Sequence, residues 1–236
     1  MSIQFFAPRG PGNEVVKIPR EMRKTVKWLP QIGDIFPDFT VETTQGRLRF
    51  WDWAEGQWTH LFSHPAAFTP VCTTEIASFA SLQDQWAKHG VQNLALTGST
   101  LEEQTRWHDD INSIFNVKVD FPCAHDPGQK LATLFGMMHE KESTEWSIRK
   151  SFLIDPSMKV RMAFEYPIFV GRSGEEILRT LQALQLRDRT GAATPADWLE
   201  GEMQIVPDDR PESAVIRDFG TPSLYLSPYL RVAGWT

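Results

Sequence analysis

Residues Trp58–Phe79 read WTHLFSHPAAFTPVCTTEIASF, and the two ends of this stretch follow different periodicities. The first six residues form a short apolar run of the length of a buried strand. From Cys72 onward the apolar positions Ile76, Phe79, Leu82 and Trp86 recur at spacings of three and four, and Gly90 supplies a stop. That pattern predicts one long amphipathic helix. A strand that passes through a short loop into a helix is the repeating unit of a sheet covered by helices, so the stretch predicts an α/β fold.

The neighbouring sequence repeats the unit. NLALTG (93–98) reads as a second buried strand, and Thr100-x-x-Glu103 forms a capping box for a helix that should bury Trp107, Ile111 and Ile114. DPGQKLATLFGMM from Asp126 predicts a shorter helix with Pro127 at its first position and Leu131, Leu134 and Phe135 inward. In KSFLIDPSMKVRMAFEY (150–166) two β-rich runs flank the turn Asp155-Pro156-Ser157-Met158, which adds an antiparallel pair and makes the sheet mixed. Ser173-x-x-Glu176 caps a helix carrying Ile177, Leu178, Leu181 and Leu184, ending near Gly191. From Ala192 the chain is rich in proline and short apolar pieces without sustained periodicity. The expected organisation is an N-terminal arm over residues 1–30, a main domain over 31–191 and an extension over 192–236.

Composition narrows the function classes. A chain of 236 residues builds one sizeable domain plus an appendage, burying roughly 70–75% of its unfolded surface. With 41% hydrophobic and 23% charged residues it has the balance of a soluble globular protein, not of a disordered, collagenous or membrane chain. The net charge of −6 argues against a nucleic-acid partner. Two cysteines, Cys72 and Cys123, cannot build a disulfide framework and suit a reducing compartment. The first thirty residues lack a signal-like apolar run and include Glu14 and Glu21, so a cytoplasmic protein with an ordered arm is expected. His64, His125 and the two cysteines are metal-ligand types, but they lack the tight pair spacing of zinc sites, and no metal or cofactor is expected.

The chemistry centres on Cys72. With Thr69 as N-cap and Pro70 at the first helical position, Cys72 falls in the first turn, where unpaired backbone N–H groups and the positive end of the helix dipole favour a thiolate. The turn follows a strand end, where α/β proteins place ligands. The Thr69 hydroxyl both donates and accepts, and Pro65 screens the pocket from water. Such a site suits an oxygen-rich substrate. A thiolate attacking a peroxide needs its leaving oxygen polarised by donors and a cation, and the cation must come from elsewhere in the chain.

Pro65-x-x-x-Thr69-x-x-Cys72 matches the active-site motif of the peroxiredoxins, and FSHPAAFTPVCTTE resembles their one-cysteine subfamily. The resemblance continues through IGDIFPDFTVETTQGRLRF, RKSFLIDP, YPIFVGRSGEEILRTL and TPADWLEGE, covering Ile32 to Glu202. It implies a thioredoxin-like fold, a mixed central sheet flanked by helices, with a dimer-associated C-terminal extension. It implies a thiol-dependent peroxidase that reduces hydrogen peroxide and alkyl hydroperoxides through a Cys72 sulfenic acid, which an external thiol or other small reductant resolves. By motif, Arg149 is the cation that contacts sulfur and peroxide, Glu75 and Arg172 form a supporting polar network, and His64 tunes the pocket. A homodimer, extending to rings of dimers, is implied, with no membrane partner. A peroxide sensor or holdase-like oligomer on the same scaffold is the alternative.

Two departures matter. No cysteine follows Cys123, so a C-terminal resolving thiol is excluded, and Cys123 in VDFPCAHDP reads as a structural thiol. AEGQWTHLFS carries Gln57 and Trp58 where some one-cysteine relatives have a lipase-like serine, so phospholipase activity is not carried over.

Overall fold

The computed structural model describes residues 29–234, so all but the last two positions of the expected arm lie outside the described residues. The described elements, in chain order, are β1 (Thr40–Thr43), β2 (Gly46–Arg49), α1 (Phe50–Ala54), β3 (Trp58–Ser63), α2 (Pro70–Ser81), α3 (Gln83–Lys88), β4 (Val91–Thr97), α4 (Leu101–Phe115) and β5 (Cys123–His125). They continue with α5 (Lys130–Leu134), β6 (Arg149–Ile154), β7 (Val160–Tyr166), α6 (Gly174–Thr190), β8 (Gln204–Ile205), α7 (Glu212–Phe219), β9 (Leu224–Ser227) and β10 (Leu230–Ala233). The chain forms two compact units. One gathers the described residues up to Thr69 with Gln92–His108 and Phe121–Val170; the other gathers Pro70–Val91, Asp109–Asp120 and the described residues from Gly171.

The first unit holds a seven-stranded sheet in the order β2-β1-β5-β4-β3-β6-β7. β4 and β5 run parallel, whereas β3, β6 and β7 pair antiparallel, with Leu61 opposite Phe152. The sheet is mixed. All six residues of β3 and all six of β6 are buried, as their central places in the sheet require, and their polar members are hydrogen-bonded there: His60 Nε2 lies 2.9 Å from the Ser151 hydroxyl, and the Ser63 hydroxyl donates to the Ile148 carbonyl at 2.6 Å. One face packs Leu61, Leu94, Leu96, Phe152 and Ile154 against Phe50 and Ala54 of α1 and Ala132 of α5. Phe36 sits among these rings, with centroids 4.7 Å from Phe135 and 5.3 Å from Phe152. Each such buried phenylalanine contributes roughly 1.5–3 kcal/mol of transfer free energy.

The turn between β6 and β7 is built by Asp155. Its Oδ1 accepts from the Ser157 hydroxyl at 2.6 Å and from the backbone N–H groups of Ser157 and Lys159 at 2.9 and 3.1 Å, while Oδ2 accepts from Arg161 at 3.2 Å. Burial alone would raise the carboxyl's pKa, but these donors outweigh it and hold the group below its ordinary value. A depressed folded value means stability that is present above the unfolded pKa of about 3.9 and lost as pH falls through the folded one. Asp155→Asn should therefore lower stability by about 1–2 kcal/mol at neutral pH, and the gap from wild type should close below about pH 4. Urea midpoints at neutral and acid pH check this, and a gap independent of pH contradicts it.

α5 begins three residues later than its sequence suggests. Gly128 and Gln129 take left-handed φ values of 70° and 53°, so Pro127 belongs to a turn, and the Asp126 carboxylate reaches forward to the N–H groups of Leu131 and Ala132 at 3.1 and 2.8 Å. In so short a helix Phe135 is buried but Leu134 is exposed. α4 starts at its capping box as expected, with Thr100 N–H donating to Glu103 at 2.8 Å. Its buried stripe is Gln104, Trp107, His108 and Ile111. In the final turn Ile114 is 68% exposed instead of buried.

In the second unit the single long helix expected after Cys72 is two, because the chain breaks at Leu82 (φ −95°, ψ 12°). The Trp86 indole N–H donates to the Phe79 carbonyl at 2.9 Å, satisfying an acceptor that the break removes from the helical ladder. Gly90, at φ 63°, ends α3 as read. α6 is capped by the Ser173 hydroxyl, which accepts from Glu176 N–H at 3.2 Å, and it stops at Gly191 in the left-handed conformation. The first position past the cap matters too: a Cβ on Gly174 would lie 2.9 Å from Leu82 Cδ1 and 3.0 Å from Ser78 Oγ, so only glycine lets α6 start this close to α2.

The tail after Ala192 is more ordered than its sequence suggests. It contains α7 and a three-stranded antiparallel sheet in the order β8-β10-β9. Arg231, 5% exposed, ties it together by donating to Glu212 at 2.7 Å, to the Ser223 hydroxyl at 2.9 Å and to the carbonyls of Pro207 and Arg210 at 2.9 and 2.8 Å.

Candidate active site

The first unit carries His64, Pro65, Thr69 and Arg149. Pro65 and Thr69 lie on the loop that leaves β3, and the loop is held at several points. Ala67 N–H donates to the Ser99 hydroxyl at 3.0 Å, the Thr97 hydroxyl donates to the Pro65 carbonyl at 3.4 Å, and the Thr69 hydroxyl donates to the Ala66 carbonyl at 2.9 Å. Phe68, between them, holds a left-handed φ of 55°, a strained value for a bulky residue, and its ring lies under the Arg106 guanidinium at 5.9 Å.

Arg149 opens β6. It is 2% exposed, and its Nε donates to the carbonyl of Ile168 at 2.8 Å. Sequence reasoning missed Ile168, because a backbone acceptor leaves no trace in residue type. His64 is fully buried, with its ring 5.4 Å from that of Trp107 and its Nε2 3.6 Å from Cys123 Sγ. The Cys123 thiol donates to Gln104 Oε1 at 3.0 Å, and burial pushes its pKa well above the ordinary cysteine value. Cys123 is thus a protonated thiol inside a packed cluster. The only sequence signal for Gln104 was its place on the Trp107 face of α4.

The second unit carries Cys72, Glu75 and Arg172. Cys72 is fully buried, in the first turn of α2, which starts at Pro70. One turn later Glu75 meets Arg172, whose Nε donates to Oε1 at 2.8 Å, whose Nη2 donates to Oε2 at 2.9 Å and whose backbone N–H donates to Oε1 at 2.7 Å. Both side chains are 1% exposed, so this is a buried, forked ion pair and not a surface salt bridge. The Phe79 ring lies 5.7 Å from the guanidinium carbon. Among the described residues no group of three or more histidine, cysteine or acidic side chains is placed to hold a metal ion.

A buried cysteine in the first turn of a helix, followed one turn on by a glutamate fixed through a forked arginine, is a setting for thiol chemistry. Residues 32–163 match the AhpC/TSA family, and residues 183–220 match the C-terminal domain of 1-Cys peroxiredoxin. The mitochondrial peroxiredoxin PRX1 of Saccharomyces cerevisiae is 37% identical over 208 residues, covering 85% of this chain and 79% of its own. Human Peroxiredoxin-6 is 38% identical over 190 residues, covering 77% and 84%. In structure the chain is similar to a yeast mitochondrial 1-Cys peroxiredoxin, described for its thiol-resolving mechanism via glutathione/thioredoxin systems, with a TM-score of 0.79 and 35% identity over 88% of this chain and all of that one. The fold is therefore thioredoxin-like with a C-terminal sheet extension, and the chain belongs to the peroxiredoxin family, as a thiol-dependent peroxidase.

Proposed function

We propose that Cys72 is the sulfur that reduces the hydroperoxide, with Thr69, Pro65 and Arg149 as the residues that serve the peroxide in that reaction. The observation that carries this reading is the contrast between the two cysteines: Cys72 stands in a helix's first turn, whereas the buried Cys123 thiol donates a hydrogen bond to Gln104 at 3.0 Å. The Cys72 thiolate forms a bond to one oxygen of hydrogen peroxide or an alkyl hydroperoxide, the O–O bond breaks, and the leaving oxygen departs as hydroxide or alkoxide and takes a proton. Sulfur is oxidised by two electrons to a sulfenic acid. With Cys123 committed elsewhere, an external thiol condenses with the sulfenic acid, releasing water, and a second thiol displaces it to restore Cys72. Thr69 orients the peroxide, Pro65 excludes water, and Arg149 stabilises both the thiolate and the developing charge. Glu75 and Arg172 support the helix that carries the sulfur, and His64 supports the start of the loop.

The protein acts as a homodimer in the cytoplasm, with residues 31–191 as the catalytic domain and 192–236 as an extension at the dimer contact. No helix among the described residues is long and apolar enough to cross a membrane. Sedimentation showing only monomer at micromolar concentration would contradict the dimer.

Arg149→Ala tests the pocket. Loss of one such electrostatic group typically lowers the rate about 10²–10³-fold, and sulfenic acid formation followed by stopped flow should slow by that amount with the fold retained. An unchanged oxidation rate would remove Arg149 from the pocket.

A further inference from the structure

β6 and β7 are joined by the Asp155 turn at one end and are open at the other, where Arg149 pairs with Tyr166 as the terminal residues of the two strands. No turn fixes that end, yet it is where the pocket's cation stands. The segment before β6 supplies a tie. Glu142 N–H and Ser143 N–H both donate to the His139 carbonyl at 2.9 Å, forming a tight turn from which the Glu142 carboxylate accepts the N–H of Ile168 at 3.0 Å. Ile168 lies two residues past the end of β7, and its carbonyl accepts from Arg149 Nε.

We propose that Glu142 is a positioning residue for the peroxidase reaction, acting on Arg149 through the Ile168 residue; this rests on the reading of Arg149 as the pocket's cation. Glu142 fixes the N–H of Ile168, which fixes the Pro167–Ile168 strand exit and hence where the Ile168 carbonyl points. That carbonyl fixes Arg149 Nε. Because a guanidinium is a rigid plane, holding Nε sets the direction of the whole donor fork. Glu142 is exposed and Ile168 is 7% exposed, so the contact reaches from the surface to a buried arginine. Nothing in the motif around Cys72 points to Glu142, which lies in an otherwise polar loop.

The test compares Glu142→Ala and Glu142→Gln with Arg149→Ala in stopped-flow oxidation by hydrogen peroxide, alongside thermal unfolding. Losing one hydrogen bond that orients the arginine should slow oxidation in Glu142→Ala about five- to tenfold. Glutamine still accepts from Ile168 N–H, so Glu142→Gln should recover to within about twofold of wild type. Since Glu142 is exposed, unfolding temperatures should stay close to wild type in both. Wild-type rates in Glu142→Ala, while Arg149→Ala is slow, would overturn the proposal. Equal losses in the alanine and glutamine variants would overturn it too, since the hydrogen bond would then not be what matters. If Arg149→Ala itself keeps the wild-type rate, it is the pocket reading that fails.

Discussion

Cys72→Ser should abolish peroxide turnover, and Cys123→Ser should retain it with an external thiol. The two substitutions delete one sulfur atom each, so the difference between them isolates environment from composition. A serine hydroxyl in the first turn of α2 does not ionise near neutral pH and cannot accept an oxygen atom, so no sulfenic acid forms and the cycle has no first step. At position 123 the thiol donates one hydrogen bond to Gln104, which a serine hydroxyl can also make, and the replacement loses only a buried sulfur's packing. That loss is about 1–2 kcal/mol of stability. Mass spectrometry of oxidised wild type should find sulfenic or sulfinic acid on Cys72 and no Cys72–Cys123 disulfide. An obligatory disulfide between them, with activity lost in Cys123→Ser, would make Cys123 the resolving thiol and defeat the one-cysteine cycle.

Glu75→Ala should destabilise the protein by about 3–5 kcal/mol, a large part of the 5–15 kcal/mol that holds a typical domain folded. The reason lies in what remains. Arg172 keeps its positive charge at 1% side-chain exposure and loses the two oxygens that receive its Nε, Nη2 and backbone N–H. Water cannot reach it without opening the packing around Phe79. Replacing both partners, as Glu75→Leu with Arg172→Met, should cost much less than Glu75→Ala, because it removes the buried charge along with its partner. Denaturant midpoints of the two variants settle the matter: a single substitution no worse than the double would show that the pair contributes little.

Much of this architecture is written in local signals. The capping boxes at Thr100 and Ser173, the glycine stops at Gly90 and Gly191 and the Asp155 turn are chemical instructions carried by neighbouring residues, and periodicity supplies the central strands. The break at Leu82 escapes that reading because α2 and α3 keep apolar residues in step across it, so the pattern is continuous although the backbone is not. What closes the break is the Trp86 indole meeting the Phe79 carbonyl, which only a folded chain reveals. The tail escaped because its strands are too short to show alternation and because Gln204 finds its partner at Ala233, far along the chain. In the site, Cys72 was visible through the proline, threonine and cysteine around it. Glu75 and Arg172 stand 97 residues apart, so spacing carries no hint of their contact, and family resemblance alone suggested it. Ile168 contributes only main-chain atoms, which every residue has.

The close start of α6 beside α2 hangs on one missing methyl group at Gly174. In the history of such a chain, position 174 is not free to drift by itself. An alanine there demands room from Leu82 Cδ1, Ser78 Oγ and Phe79 Cδ1, the atoms a Cβ would meet first. Positions 78, 79, 82 and 174 therefore form a set whose residues change together or hardly at all. The helix that carries Cys72 in its first turn inherits its tolerance for substitution from a glycine about a hundred residues downstream.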